Sequence, residues 1–127
     1  MDTPAIDPAV NSITKTIIGC AYTVSNSLGC GFLEKVYQNA LIHELEKQGL
    51  KVERQHAIKV RYDGVVVGEY IADLIVGENV LIEIKNIDHL GNPQVAQCLN
   101  YLKATGIRIG LLMNFGTPRV EIKRFIL

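Results

Sequence analysis

Two acids and a lysine interrupt a pair of apolar strands near the middle of the chain. The apolar runs 71–76 and 80–84 flank a short turn of Gly, Glu and Asn, which predicts a β-hairpin. With those turn residues as the loop, Asp73 lies directly opposite Glu83 in the antiparallel register. Facing residues share one side of the sheet, with Cβ atoms roughly 4.5–5.5 Å apart. Lys85 points to the same side because side chains alternate along a strand.

This register brings together two carboxylates that repel each other unless a cation lies beside them. A divalent metal would supply one positive charge, and the ammonium group of Lys85 would supply another. Carboxylate-bound Mg²⁺ next to a lysine is typical of a site that cleaves phosphate esters. Two other interpretations remain open. A surface hairpin can carry Glu and Lys on its solvent face, and a loop one residue shorter would pair Asp73 with Ile84.

Composition limits the class of protein. With 127 residues the chain is long enough for one compact domain, and we expect a single domain over residues 1–127. The chain is 48% hydrophobic and 20% charged, which is enough for an ordinary core. Its formal net charge is zero, which argues against a protein that binds polyanions by charge alone. No apolar run approaches the ~20 residues of a membrane span, so no membrane partner is expected.

The cysteines and the first residues bear on the compartment. Cys20, Cys30 and Cys98 form no C-x-x-C motif, and their odd number predicts free thiols in a cytoplasmic protein. The opening residues Met-Asp-Thr-Pro lack a basic n-region, so no targeting segment is expected.

Hydrophobic periodicity and turn residues predict the element order ααβββαββ. The expected helices and strands, in order, are 8–28, about 32–48, 52–62, 65–76, 80–85, 92–105, 107–113 and 120–126. The third helix lies between two strands that can then run parallel through a right-handed crossover. The sequence therefore predicts an α/β domain with a mixed sheet. The expected buried face of the second helix comprises Leu33, Val36, Tyr37, Ala40, Leu41 and Leu45.

Two of the predicted helices carry polar residues that could face the same site. Glu34 lies in the first turn of the second helix, where free amides and the helix dipole favour an anion. Gln97 and Tyr101 are four residues apart on the third helix and so share one face. A Gln beside an apolar stripe needs a buried partner or a wet cleft. A first-turn Glu and a half-exposed Gln are also common without any function.

A set of motifs, taken in their order along the chain, resembles the GxxExxY proteins of the PD-(D/E)XK nuclease superfamily. The motifs are Gly31-x-x-Glu34-x-x-Tyr37, Asp73, Glu83-x-Lys85 and Gln97-x-Leu99-x-Tyr101-Leu102. The resemblance extends from about Ile13 to Phe125 and implies a restriction-endonuclease-like αβββαβ core, with a mixed sheet flanked by helices. It also implies Mg²⁺-dependent cleavage of nucleic acid, with Mn²⁺ able to substitute and DNA as the favoured substrate. The chain departs from the pattern at Ala72, where the superfamily name has proline, and at Ile71, where relatives often have arginine.

The resemblance also implies roles for single residues. Asp73 and Glu83 are expected to bind the metal, together with the backbone carbonyl of Ile84. Lys85 is expected to orient or activate the attacking water and to stabilise charge on the phosphorane. Glu34 is expected to complete the acidic cluster.

The remaining motif residues are expected to meet the substrate. The resemblance implies that Gln97 positions water or phosphate, and that Tyr37 and Tyr101 contact the substrate. Small nucleases that act on duplexes are often dimers, so we also expect a homodimer.

Two alternatives to a nuclease remain open from the sequence. One is a non-catalytic module that binds nucleic acid or a partner and retains the nuclease fold; zero net charge and Ile71 favour it. The other is a protein-interaction subunit that docks a partner or a second copy through its apolar first helix.

Overall fold

Three helices and five strands follow the order that the sequence predicts. The computed structural model describes residues 4–127. The prediction about a targeting segment concerns the first residues of the chain, of which residues 1–3 lie outside the described residues. The elements are α1 (Pro8–Leu28), α2 (Glu34–Lys47), β1 (Val52–Tyr62), β2 (Val65–Val76), β3 (Val80–Lys85), α3 (Asn92–Thr105), β4 (Ile109–Asn114) and β5 (Glu121–Ile126).

The helices begin and end at the residues that local chemistry favours. The carboxylate of Asp7 accepts a hydrogen bond from the Ala9 backbone N–H at 2.8 Å, and Pro8 occupies the first helical position of α1. Gly106 ends α3 in the left-handed conformation, with φ of 74°, which costs glycine little. Both ends were predicted from the sequence.

The sheet is mixed, as predicted. Its strand order is β1-β2-β3-β4-β5, in which β3 and β4 are parallel and the other neighbours are antiparallel. α3 connects the parallel pair. The helices cover both faces of the sheet: α1 and α2 pack on the side of Leu74 and Ile82, and α3 packs on the side of Leu81 and Leu112. This is an α/β arrangement consistent with a restriction-endonuclease-like fold.

The buried face of α2 differs in part from expectation, and the apolar face of α1 is covered within the chain. Tyr37, Leu41 and Leu45 of α2 are buried, but Leu33 is 78% exposed and Val36 is exposed as well. Leu33 fails to reach the core because it precedes α2 in an extended conformation. The stripe of α1 lies inside the core of this chain, with Ile17 among its buried residues. The surface needed for docking a partner through that stripe is therefore already covered.

Two observations relate to the expected compartment. Cys20, Cys30 and Cys98 are free thiols. None of the helices within residues 4–127 has the length and apolar character needed to cross a bilayer. A cytoplasmic location stays a prediction.

Candidate active site

β2 and β3 stop pairing through their backbones at the two acids. The ladder ends at the pair Leu74–Ile82, and Asp73 and Glu83 are next in the same register. From there the side chains replace the ladder bonds. Glu83 Oε1 accepts a hydrogen bond from the Asp73 backbone N–H at 3.1 Å, and Asp73 Oδ2 accepts one from the Ile84 N–H at 2.7 Å. The two carboxylates therefore lie together at the point where the backbone pairing of β2 and β3 stops.

The regular alternation of β2 is interrupted at this point. Leu74 and Val76 pack in the cluster beneath α1 and α2, whereas Ala72 packs in the cluster beneath α3. Residues two apart on a regular strand would share one face. On the neighbouring strand β1, Gln55 continues the register opposite Asp73 and has a positive φ of 48°. Such irregularities re-aim side chains, and here the irregularity lies at the candidate metal ligand.

Burial raises the pKa of both acids, and the charge of Asp73 adds to the shift of Glu83. Glu83 is 3% exposed, and burial together with the negative charge of Asp73 raises its pKa to about 8. Burial also raises the pKa of Asp73, against the lowering effects of the Ile84 N–H and of Lys85. At neutral pH and without a cation, the pair therefore holds a proton that two ordinary carboxylates would release.

Lys85 lies at the end of β3 beside these acids. Its Nζ donates a hydrogen bond to Gln97 Oε1 on α3 at 2.7 Å. Its positive charge lowers the pKa of Asp73 and of Glu83, so the ammonium group is within electrostatic reach of both. Within residues 4–127, no carboxylate forms an ion pair with Lys85. The partner of the ammonium group is a neutral amide, which does not cancel its charge. The positive charge of Lys85 can therefore still act on another charged group.

Glu34 lies near the pair but does not converge with it. It is the first residue of α2, and its pKa is raised by partial burial of the carboxyl group and by the charge of Asp73. Asn86, which follows Lys85, donates a hydrogen bond to the Phe32 carbonyl at 2.6 Å and so ties this end of α2 to the end of β3. In the described part of the chain, no three His, Cys, Asp or Glu side chains form a group that could hold a metal ion. The closed cluster of three acids expected with Glu34 is thus absent there.

Tyr101 faces the candidate site from α3. It is 7% exposed, and its pKa is raised by burial first and then by the charges of Glu83 and Asp73. Its ring lies 5.6 Å from that of Tyr70 on β2, centroid to centroid. Tyr101 therefore connects the acidic pair with the surface formed by Tyr70.

Tyr37 is not placed to contact a substrate. Its ring is fully buried and stacks on Phe115 at a centroid distance of 5.0 Å. Its hydroxyl donates to the Gly29 carbonyl at 2.7 Å and accepts from the Phe32 N–H at 3.2 Å. These contacts hold the loop that leads to Glu34. The substrate contact expected of Tyr37 is therefore wrong, because none of the ring reaches the surface.

One residue near the site was missed by the sequence analysis. Asn114 ends β4 beside Lys85 and is fully buried. Its Oδ1 accepts from the N–H groups of Ile87 and Gly116, both at 3.0 Å, and its Nδ2 donates to the Ile87 carbonyl at 2.9 Å and to Glu121 Oε1 at 3.0 Å. This network fixes the chain just after Lys85. A signal was present, since a polar residue at the end of a buried strand requires partners.

The donor atoms at the acidic pair suit a hard divalent cation. Two carboxylates and nearby backbone carbonyls offer only oxygen ligands, which Mg²⁺ prefers. Mg²⁺ is commonly bound through one or two protein carboxylates, with water and substrate phosphate as the other ligands. Burial and the charge of Asp73 raise the pKa of Glu83 although Lys85 lowers it, so a bound cation would favour the ionised form of the pair. Asp73 and Glu83 therefore fit Mg²⁺ without a third acid.

Comparisons with known proteins bear on the family and the fold. A sequence model of the PD-(D/E)XK nuclease superfamily matches residues 11–125. The fold is similar to that in the crystal structure of SSO0001, with a TM-score of 0.53 and 22% identity, over 72% of this chain and 48% of that chain, so this chain spans about half of its length. No curated protein matches the chain. Membership of the GxxExxY group stays a prediction. The match over residues 11–125 shows that the chain belongs to the PD-(D/E)XK nuclease superfamily.

Proposed function

We propose that this chain is a metal-dependent nuclease that hydrolyses phosphodiester bonds of nucleic acid, with DNA as the favoured substrate. The observation that carries the proposal is the pair of carboxylates, Asp73 and Glu83, held where the backbone pairing of β2 and β3 stops, with Lys85 in electrostatic reach. Membership of a nuclease superfamily supports the same reaction class.

The metal is proposed to bind the two acids. Asp73 and Glu83 supply carboxylate oxygens and Ile84 supplies its backbone carbonyl, with Mg²⁺ as the expected ion and Mn²⁺ as a substitute. The N–H of the same Ile84 fixes the orientation of the Asp73 carboxylate by a 2.7 Å hydrogen bond. When bound, the ion supplies activation of water and screening of the phosphate charge.

The remaining polar residues are proposed to act on the water and the phosphate. Lys85 stabilises the negative charge that develops on the phosphorane, which is the kind of electrostatic assistance that a positioned cation provides. Gln97 positions the Lys85 ammonium, since its Oε1 accepts the 2.7 Å hydrogen bond. Glu34 orients the attacking water from the flank of the site. Its carboxyl group is close enough for the charge of Asp73 to raise its pKa and for the charge of Lys85 to lower it.

Cleavage of plasmid and single-stranded DNA with Mg²⁺ or Mn²⁺ tests this function directly. We expect Lys85→Ala to cut at least about 100-fold more slowly than the wild type. Lys123→Ala, which removes an exposed lysine on β5, is the matched control and should cut normally. Absence of cleavage by the wild type, or equal cleavage by Lys85→Ala, would refute the proposal.

The alternative is a module that keeps the fold without catalysis. The zero net charge favours it, as does the absence of a third converging acid within residues 4–127. Titration calorimetry separates the two functions, because a site that has lost its chemistry should not bind Mn²⁺ through Asp73 and Glu83. Loss of Mn²⁺ binding in Asp73→Asn would favour the nuclease.

The homodimer stays a prediction. The β1–β2 hairpin exposes a run of large apolar side chains, which can mark an association surface. They include Val65, Val66, Val67 and Ile71. Light scattering of the purified protein would decide between monomer and dimer.

A further inference from the structure

A groove of about 840 Å³ lies between the β1–β2 hairpin and α3. The hairpin contributes Lys59, Arg61 and Tyr70 to its walls, and α3 contributes Gln97, Tyr101 and Lys103. Gln97 also accepts the hydrogen bond from Lys85 Nζ. One end of the groove therefore reaches the residues assigned to catalysis.

An aromatic surface lies in the wall of this groove. Tyr70 is 50% exposed, and its ring is tilted by 43° against Tyr101 at 5.6 Å between centroids. The buried Tyr101 supports Tyr70 from one side and leaves part of the Tyr70 ring open to the groove. A half-exposed aromatic ring beside cationic groups is suited to stacking with a nucleobase.

Three basic residues belong to the lining of the same groove. Lys59, Arg61 and Lys103 are exposed, and Glu69 lies opposite Lys59 in the register of β1 and β2. Among the residues that the structure describes, none of the three forms an ion pair. Since the whole chain has no net charge, this cluster is a local feature rather than part of a basic surface. Three cations can contact only a short stretch of phosphates.

We propose that this groove binds a single-stranded segment of the nucleic acid that the site cleaves, with one base stacked on Tyr70 and the phosphates held by Lys59, Arg61 and Lys103. The inference rests on the proposed nuclease function and specifies its substrate class. A duplex keeps the faces of its bases stacked on one another, so it cannot offer a base to Tyr70 without distortion. A single strand offers both a free base face and a flexible backbone.

Binding without cleavage is the first test. The probes are labelled DNA and RNA oligonucleotides of about 12 nucleotides, within the usual site size for single strands, and the blunt duplex of the same sequence, in EDTA. Fluorescence anisotropy should show tighter binding of a single strand than of the duplex. The DNA and RNA probes then distinguish the two sources of single strands.

A matched pair of tyrosine variants tests the stacking contact. Tyr70→Ala should weaken single-strand binding about 5- to 100-fold, because stacking on one aromatic ring has that effect. Tyr70→Phe should retain the affinity. Tyr62→Ala removes a tyrosine that is 75% exposed on the same hairpin but outside the groove, and it should bind like the wild type.

A spectroscopic readout separates stacking from attraction by charge. The chain has no tryptophan, so Tyr70→Trp introduces a single reporter. Single-stranded DNA should quench this fluorescence strongly, and it should leave the fluorescence of Tyr62→Trp unchanged. Equal quenching at both positions, no loss in Tyr70→Ala, or duplex binding as tight as single-strand binding would overturn the proposal.

Failure of this inference can be told apart from failure of the nuclease proposal. If single strands bind through Tyr70 but no DNA is cut with Mg²⁺ or Mn²⁺, the groove proposal stands and the catalytic function fails. If Lys85-dependent cleavage occurs and Tyr70→Ala binds normally, the groove proposal alone is wrong.

Discussion

Replacing Glu83 by glutamine should stabilise the metal-free protein and abolish its cleavage activity. The amide oxygen of the introduced side chain can still accept the hydrogen bond that Glu83 Oε1 receives from the Asp73 N–H. The substitution removes a carboxyl group that is almost fully buried and faces a second negative charge. Opposite effects on stability and activity are expected where a destabilised group is kept for function.

The pH dependence sets the size of this effect. The pKa of Glu83 is raised from an ordinary 4.5 to about 8, so the folded chain keeps a proton that the unfolded chain has lost. The extra stability that this retained proton gives to the folded chain is complete below pH 4.5. It declines as the pH rises to about 8. The shift corresponds to roughly 5 kcal/mol of unfolding free energy. The raised pKa of Asp73 acts in the same direction. In Glu83→Gln most of this decline should disappear.

Urea denaturation in EDTA at pH 5, 7 and 9 measures the difference between wild type and variant. The gain in stability of Glu83→Gln should be small at pH 5 and should increase by several kcal/mol towards pH 9. Glu46→Gln, an exposed position on α2, is the matched control and should show no such trend. A difference between wild type and Glu83→Gln that does not change with pH would refute the reasoning.

Three further substitutions test the surroundings of the site. Gln97→Ala should lower kcat more than it raises KM, because Lys85 loses its 2.7 Å partner; steady-state kinetics on single-stranded DNA would show it, and an unchanged kcat would contradict the positioning role. Tyr37→Phe should lower the unfolding free energy by about 1–3 kcal/mol in urea, because two partly buried backbone groups lose their partner, and no loss would contradict this structural role. Gly116→Ala should lower the melting temperature, because a Cβ there would overlap the backbone of Ile87; a wild-type value would show that the loop adjusts freely.

The register of the acidic pair could be predicted because the loop length fixes it. Val76 pairs with Val80 across the turn, and counting back from that pair places Asp73 next to Glu83. The parallel pairing of β3 and β4 was predictable for a similar reason, since a helix connects them and the crossover returns the chain in the same direction.

The irregularity at Asp73 could not be predicted from the sequence. Periodicity assumes that alternate residues keep to one face, but Ala72 and Leu74 lie on opposite faces. Gln55 adopts a positive φ that is usual for Gly, Asn or Asp and carries no warning in its residue type. Such a distortion is set by the packing of the whole sheet rather than by the local sequence.

The surroundings of the two motif tyrosines also required the structure. The positions of Tyr37 and Tyr101 on helices were predictable, but their burial depends on the elements that pack over them. Tyr37 lies against Phe115, which is distant in sequence. Tyr101 meets Tyr70 only because α3 packs against the hairpin, and that contact forms the groove.

Calorimetry of Mn²⁺ binding in buffers of different ionisation enthalpy tests the central claim, that Asp73 and Glu83 form a cation site. Because the pair holds a proton when no cation is present, binding at pH 7 should release about one proton, and binding at pH 9 should release almost none. Asp73→Asn should not bind. Mn²⁺ binding that releases no proton at pH 7, or equal binding by Asp73→Asn, would contradict the cation site.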